Sequence, residues 1–187
     1  MYQFFVEPSQ IQGNRIVITG SDVNHIKNVL RMKPGEEIAV SNGTDGKEYR
    51  CGIEELLEEE IICTLRFIKE DGLELPARVT FFQGLPKADK MEFIVQKAVE
   101  LGVSRIVPYL SKNCVSRPDK TEKKVERWRK IAAEAAKQCG RGRLPEVAAV
   151  VPVAQAIAQA AESETALFFY ENERRIGLHD ALAGGVR

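Results

Sequence analysis

Short apolar stretches alternating with polar positions and broken by turn residues fill the first 70 positions of the chain. Residues 2–6, 15–19, 37–41, 48–54 and 61–68 have the length and the β-branched or aromatic content of strands. Pro34-Gly35, Asn42-Gly43 and Asp45-Gly46 supply turns between them. Between the second and third of these strands, Val23, Ile26, Val29 and Leu30 recur at helical spacing behind Ser21 and Asp22. That pattern predicts a helix capped by the Ser-Asp pair. The expectation is a small β-barrel-like domain carrying one helix.

The period changes beyond residues 69–76, whose acidic sequence KEDGLELP has the composition of a connection between domains. From there strands alternate with helices: a strand over 79–83, a helix over about 89–101, a strand over 105–109 and a helix over about 122–139. A strand over 147–151, a helix over 154–161 and a strand over 166–170 complete the series. The order βαβαβαβ predicts an α/β domain with a mostly parallel sheet covered on both faces. The division is therefore 1–70, a linker over 71–76, and 77–187.

The helices have distinct faces. In the first α/β helix Met91, Ile94, Val95, Ala98 and Leu101 form an apolar stripe, Lys90 and Lys97 lie off it, and Gly102 stands where a left-handed cap belongs. In the second, Val125, Trp128, Ala132, Ala135 and Cys139 form the stripe while Lys123, Arg127, Lys130 and Lys137 line another side. Trp128 is expected in the core rather than as a platform for a nucleobase.

Charge changes the picture more than composition does. The chain has 27 Lys and Arg and 27 Asp and Glu, but they are segregated. Residues 1–76 hold 8 basic against 14 acidic side chains, residues 77–145 hold 16 against 7, and residues 146–187 hold 3 against 6. A basic middle third points to a polyanionic partner, because clustered cations displace counterions from a phosphate backbone whatever distant acids do. The competing reading is a solvated helix face that happens to be lysine-rich. No apolar run approaches the roughly 18 residues that cross a bilayer, and the N-terminus lacks a signal-peptide layout, so no membrane role and a cytoplasmic location are expected. Four dispersed cysteines (Cys51, Cys63, Cys114, Cys139) and two histidines give no zinc spacing; thiols filling core gaps are the expectation.

Candidate chemistry lies in two loops and one helix. Gly84-Leu85-Pro86-Lys87-Ala88-Asp89-Lys90 follows the first α/β strand, at the sheet edge where open α/β folds bind ligands, and Lys87 and Lys90 suit phosphate. It is neither a Walker loop nor a dinucleotide fingerprint. At the end of the second helix, Arg141 and Arg143 read as phosphate forks, and Gln138 either reads a base edge or caps the helix. In the first domain His25 and Arg31 flank a helix; His25 is either structural or RNA-facing, and Arg31 suits either the helix dipole or RNA. Hydrolytic triads, metal spacings and paired carboxylates are absent from the pattern. From the residues alone the reading is a two-domain protein whose basic α/β half binds RNA.

The runs HIKNVLRMKPGEEI, QGLPKADKMEFIVQKAVELGVSRIVPYLSKNCV and KIAAEAAKQCGRGRLPEV, in that order, resemble the 16S rRNA uridine-N3 methyltransferases, the RsmE family of the SPOUT superfamily. The resemblance implies an N-terminal PUA-like RNA-binding β-barrel domain and a SPOUT-type α/β domain, with a homodimer formed through a trefoil knot. It also implies S-adenosylmethionine as methyl donor and 16S rRNA of the small ribosomal subunit as partner. Arg141 and Lys87 become the catalytic candidates, since a cation near the uracil carbonyls stabilises the N3 anion. His25, Arg31, Lys87, Lys90, Lys97, Gln138, Arg141 and Arg143 are the RNA-binding candidates. The family's GPEGG loop and its later LG-x-RILR-x-ETA stretch do not occur in these 187 residues. The knot and the main donor site are therefore expected outside them, no cofactor-binding residue is assigned within, and these residues alone are expected not to turn over. The alternative is an RNA-binding or ribosome-assembly module without catalysis; a generic α/β protein with a basic face is the third reading.

Overall fold

A computed structural model describes residues 1–70, 74–87, 90–112, 114, 121–169, 172, 174 and 177–183. Its first unit is one curled sheet. Strands β1 (Gln3–Phe5), β2 (Ile11–Gln12), β3 (Arg15–Thr19), β4 (Glu37–Ser41), β5 (Glu48–Leu56) and β6 (Glu60–Lys69) lie in the order β1-β4-β5-β6-β3-β2. β1 runs parallel to β4, and the remaining pairings are antiparallel. Register shifts between Arg50 and Cys51 and between Ile53 and Glu55 bend β5, because a bulge adds a residue to one strand only. The concave face is filled by Phe4, Ile16, Ile18, Ile38, Val40, Cys51, Ile53, Ile61 and Cys63. The result is an open half-barrel.

The helix of this unit is shorter and wider than the spacing suggests. α1 (Ser21–Asn24) starts from Gly20 at φ 74°, and no side chain caps it, so the expected Ser21-Asp22 cap does not form. Asp22 is engaged elsewhere, as described below. The chain then widens into a π-helical turn over His25–Val29, where Leu30 N–H bonds to the His25 carbonyl at 2.9 Å. The wider winding keeps Ile26 fully buried but rotates Val29, predicted to face inward, to 65% exposure. Arg31 closes the turn at φ 54°, a left-handed conformation uncommon for a residue with a Cβ.

The second unit is built on parallel pairing. β7 (Thr80–Gly84), β8 (Arg105–Leu110), β9 (Glu146–Val147) and β10 (Val151–Pro152) form a sheet in the order β10-β8-β7, with β9 also paired to β8. α2 (Lys90–Glu100), α3 (Thr121–Cys139) and α4 (Val153–Ala161) connect or follow them. The strand expected over 147–151 is thus two short pieces that both pair with β8. The strand expected over 166–170 does not form in its described part, 166–169: Phe168 and Phe169 are 83% and 74% exposed, and among the described residues no neighbouring strand takes up their backbone groups. Tyr170 lies outside the described residues. A helix the sequence reading did not foresee, α5, spans Leu178–Ala183.

The core of this unit is a seam between α2, α3 and the sheet. Met91, Val95, Ala98 and Val99 of α2 meet Val125, Trp128, Ala132, Ala135 and Ala136 of α3, with Ile106 and Val147 beneath. Trp128 is 4% exposed, a core residue as its spacing predicts. Leu101, assigned to the stripe, is 76% exposed because α2 has ended before it. Gly102 at φ 95° and the bond from Val103 N–H to the Ala98 carbonyl close α2 in the left-handed way expected. Among the described residues no helix is long and apolar enough to cross a membrane. Cys51 and Cys63 are fully buried, and burial pushes both thiols up to about 12. Cys114 and Cys139 are only partly buried.

Candidate nucleic-acid interface

The two units meet where the loop after α3 crosses the turn between β4 and β5. Leu144 N–H donates to the Gly43 carbonyl at 2.9 Å, extending a parallel bridge between Gly43 and Arg143. At residue 142 the backbones are so close that a Cβ would sit 2.6 Å from the Gly46 carbonyl oxygen, so only glycine fits. Gln3 of β1 donates its side-chain amide to the Arg141 carbonyl at 2.8 Å and to Ser41 Oγ at 3.2 Å. One helical turn back, Lys137 pairs with Asp22 at 3.1 Å and lies 5.9 Å from the Phe4 ring centroid. His25 meets the same ring edge-on at 6.1 Å. His25 of the half-barrel thus stands beside the end of α3, where Gln138 is exposed.

Arg141 is not placed as a free phosphate fork. It is 3% exposed. Its Nε and Nη2 donate to the two carboxylate oxygens of Glu74, at 3.3 and 2.6 Å, and its Nη1 donates to the carbonyls of Val99 and Val103, at 3.1 and 2.7 Å. A guanidinium that is buried and has four of its five N–H donors so committed offers no fork to a uracil carbonyl or a phosphate. Burial selects this arrangement, because a cation removed from water needs a counter-charge and acceptors for its remaining protons. The arginine keeps the planar fork that the sequence reading valued and spends it on the protein itself.

The remaining candidates lie outside. Lys87 is exposed at the end of the loop after β7, and Lys90 is exposed in the first turn of α2; neither forms an ion pair among the described residues. Arg31 and Arg143 are exposed and likewise without an ion pair among the described residues. The Arg143 side chain runs over Gly46, with Nε near 3.1 Å from that residue's Cβ position. Lys97 is exposed but pairs with Glu100 at 2.6 Å and rests 5.8 Å from the Phe93 ring centroid, so an acid already offsets its charge. Gln96, Lys97, Glu100, Gln138 and Cys139 line a shallow cleft between α2 and α3. Another cleft, beside α1, is lined by Glu58, Glu59 and Glu60 against one cation, Lys27, and its charge balance disfavours phosphate.

Cys139, near the loop of interest, sends its thiol toward the Ala136 carbonyl at 3.7 Å in its own helix. At the end of β8 the Cys114 sulfur takes hydrogen bonds from the Ser111 hydroxyl and backbone N–H, which hold its pKa below the usual thiol value. Sequence reasoning missed Gln3, Asp22 and Glu74, which join the units. Glu74 lay in a stretch marked only by linker composition, and its partner is 67 positions away.

Comparison with known proteins gives two family matches. A family model described as an RNA methyltransferase domain matches residues 73–183, and one described as an RNA methyltransferase PUA domain matches residues 18–66. Ribosomal RNA small subunit methyltransferase E of Bacillus subtilis (strain 168) is 34% identical over 182 residues, covering 95% of this chain and 71% of its own length. The protein of the same name from Synechocystis is 32% identical over 164 residues, covering 88% of this chain and 52% of its own. Among solved structures, ribosomal RNA small subunit methyltransferase E of Neisseria gonorrhoeae bound to S-adenosyl methionine superposes with a TM-score of 0.75 at 29% identity, over 84% of this chain and 64% of that one. A Legionella pneumophila methyltransferase in complex with the same cofactor gives 0.78 at 28% identity, over 92% and 72%. The chain spans between about half and about seven tenths of the length of these relatives.

Proposed function

The chain belongs to the RNA methyltransferase family, and on that premise we propose that its full-length form methylates ribosomal RNA with S-adenosylmethionine as donor, at N3 of a uridine in the decoding region of 16S rRNA. The observation that carries the reading is the pairing of an RNA methyltransferase match over residues 73–183 with a PUA match over residues 18–66. The exposed cations on both units agree with it. The substrate is the small ribosomal subunit, the working form is a homodimer, and the site of action is the cytoplasm.

At the carboxyl edge of the sheet, residues 84–87, 110–112, 114 and 152–155 include no Asp or Glu to hold ribose hydroxyls. Gly84 does not open a cradle there either, because its Cβ position faces the Tyr109 ring at 3.3 Å. What this chain supplies is a hold on the RNA. His25, Arg31, Lys87, Lys90, Lys97, Gln138 and Arg143 are the contact residues, phosphate for the cations and base edges or stacking for His25 and Gln138. With Arg141 committed to Glu74, Lys87 is the cation placed to stabilise a uracil that has lost its N3 proton.

The test supplies full-length protein with methyl-labelled S-adenosylmethionine and small subunits that lack the modification. The expected result is label in 16S rRNA recovered as N3-methyluridine. Firm binding to the subunit with no transfer would overturn the enzyme reading in favour of a ribosome-assembly module.

A further inference from the structure

Both oxygens of the Glu74 carboxylate are used. Oε1 accepts from Arg141 Nε at 3.3 Å and from the Arg143 backbone N–H at 3.0 Å, and Oε2 accepts from Arg141 Nη2 at 2.6 Å. The two side chains are 16% and 4% exposed, so the pair is shielded from solvent. From this pair, contacts run to three other parts of the molecule. Arg141 Nη1 reaches the closing carbonyls of α2 at Val99 and Val103. The Arg141 carbonyl takes the Gln3 amide of the half-barrel, whose other acceptor, Ser41 Oγ, itself donates to the Lys47 carbonyl at 3.0 Å. Three residues on, Leu144 bonds to Gly43.

We infer that Glu74 is a positioning residue: it clamps Arg141 and Arg143 so that the half-barrel and the α/β unit are held at one angle and present their cations to a single RNA. The inference rests on the proposed RNA substrate. Its physical basis is that the loop after α3 meets the half-barrel at Arg141, Gly142, Arg143 and Leu144, so the orientation of that loop, together with the Lys137–Asp22 pair, helps set the orientation between the units. Among the described residues Glu74 is the one side chain that grips the loop at two residues, through a side chain at 141 and a backbone N–H at 143. A short polar connection would otherwise leave the angle between two small domains free, which is the default for interfaces of this kind. Holding the angle before RNA arrives removes an ordering cost from binding.

The experiment uses the full-length protein and the variants Glu74→Gln, Glu74→Ala and Gln3→Leu. Without RNA, amide hydrogen exchange at Arg143 and Leu144 is expected to quicken at least tenfold in the Glu74 variants, with the exchange of β3 to β6 unchanged. With RNA, the dissociation constant for small-subunit rRNA is expected to rise tenfold or more, and KM for the subunit to rise with kcat at saturation preserved. Gln3→Leu leaves the Arg141–Glu74 pair in place and breaks only the link to the half-barrel, so it is expected to weaken RNA binding with little change in Tm. If Glu74→Ala does not fold, the other two variants carry the test. Unchanged exchange at 143 and 144 would overturn the clamp. Loss of Tm with RNA affinity intact in Glu74→Gln and Gln3→Leu would reduce Glu74 to a stability residue. Absence of rRNA binding by the unaltered protein would overturn the functional reading, while the exchange data still decide the clamp.

Discussion

Arg141→Ala unfolds much of the protein's stability margin: the expected loss is about 3–5 kcal/mol, the range for removing one partner of a buried ion pair. The deletion leaves the Glu74 carboxylate with only the Arg143 N–H and removes a donor from the carbonyls of Val99 and Val103, and each lost partner adds to the desolvation cost. Against a total stability of about 5–15 kcal/mol for an ordinary domain, that is a large fraction. Arg141→Lys is expected to fall between, because an ammonium has three donors and cannot reproduce four contacts spread over a planar fork. Urea unfolding, with the midpoint and slope compared across the three proteins, measures this. As the catalytic candidate that its place in the sequence made it, Arg141 changed to Ala would instead reduce methylation much more than RNA binding. A variant with unaltered midpoint and lost methylation would restore that role and contradict the geometry.

Trp128→Ala is the second large effect and acts within the core of the α/β unit. The indole is 4% exposed within the seam that joins α2, α3 and the sheet. Truncating a buried aromatic side chain costs about 3–5 kcal/mol, through lost transfer energy and the cavity left behind. The loss is expected with no change in RNA affinity per folded molecule, because Trp128 is buried in the core and presents no surface to RNA. Calorimetric Tm together with binding titrated at a temperature where the variant is folded separates the two. A large fall in affinity with Tm preserved would mean that the indole serves as a platform for a base.

The elements were legible where periodicity was strong and local. β3 and β4 fall where alternation places them, and the α3 stripe of Val125, Trp128, Ala132 and Ala135 is buried as its spacing requires. The failures have physical causes. Val29 turned outward because a π-helical turn changed the period inside a helix too short to display its own winding. Residues 166–169 have the composition of a strand, but a strand exists only with a neighbour to complete its ladder, and that depends on other parts of the chain. The candidate site divides in the same way. Exposed Lys87, Lys90, Arg31 and Arg143 follow from charge patterning, whereas the burial of Arg141 depends on Glu74 and on carbonyls of a helix about 40 residues earlier. No local pattern encodes such a meeting.

The central claim, that cations of the two units grip one RNA, is tested most directly by the affinity for small-subunit rRNA as salt is raised. Each phosphate contact contributes a slope of about −0.7 to −0.9 in log affinity against log salt, so contacts from the four exposed candidates Arg31, Lys87, Lys90 and Arg143, none of them in an ion pair among the described residues, predict a slope of about −3. That corresponds to a fall of roughly sixty-fold between 50 and 200 mM salt. A steep line of that order is the predicted result; an affinity that barely responds to salt would contradict the shared cationic face.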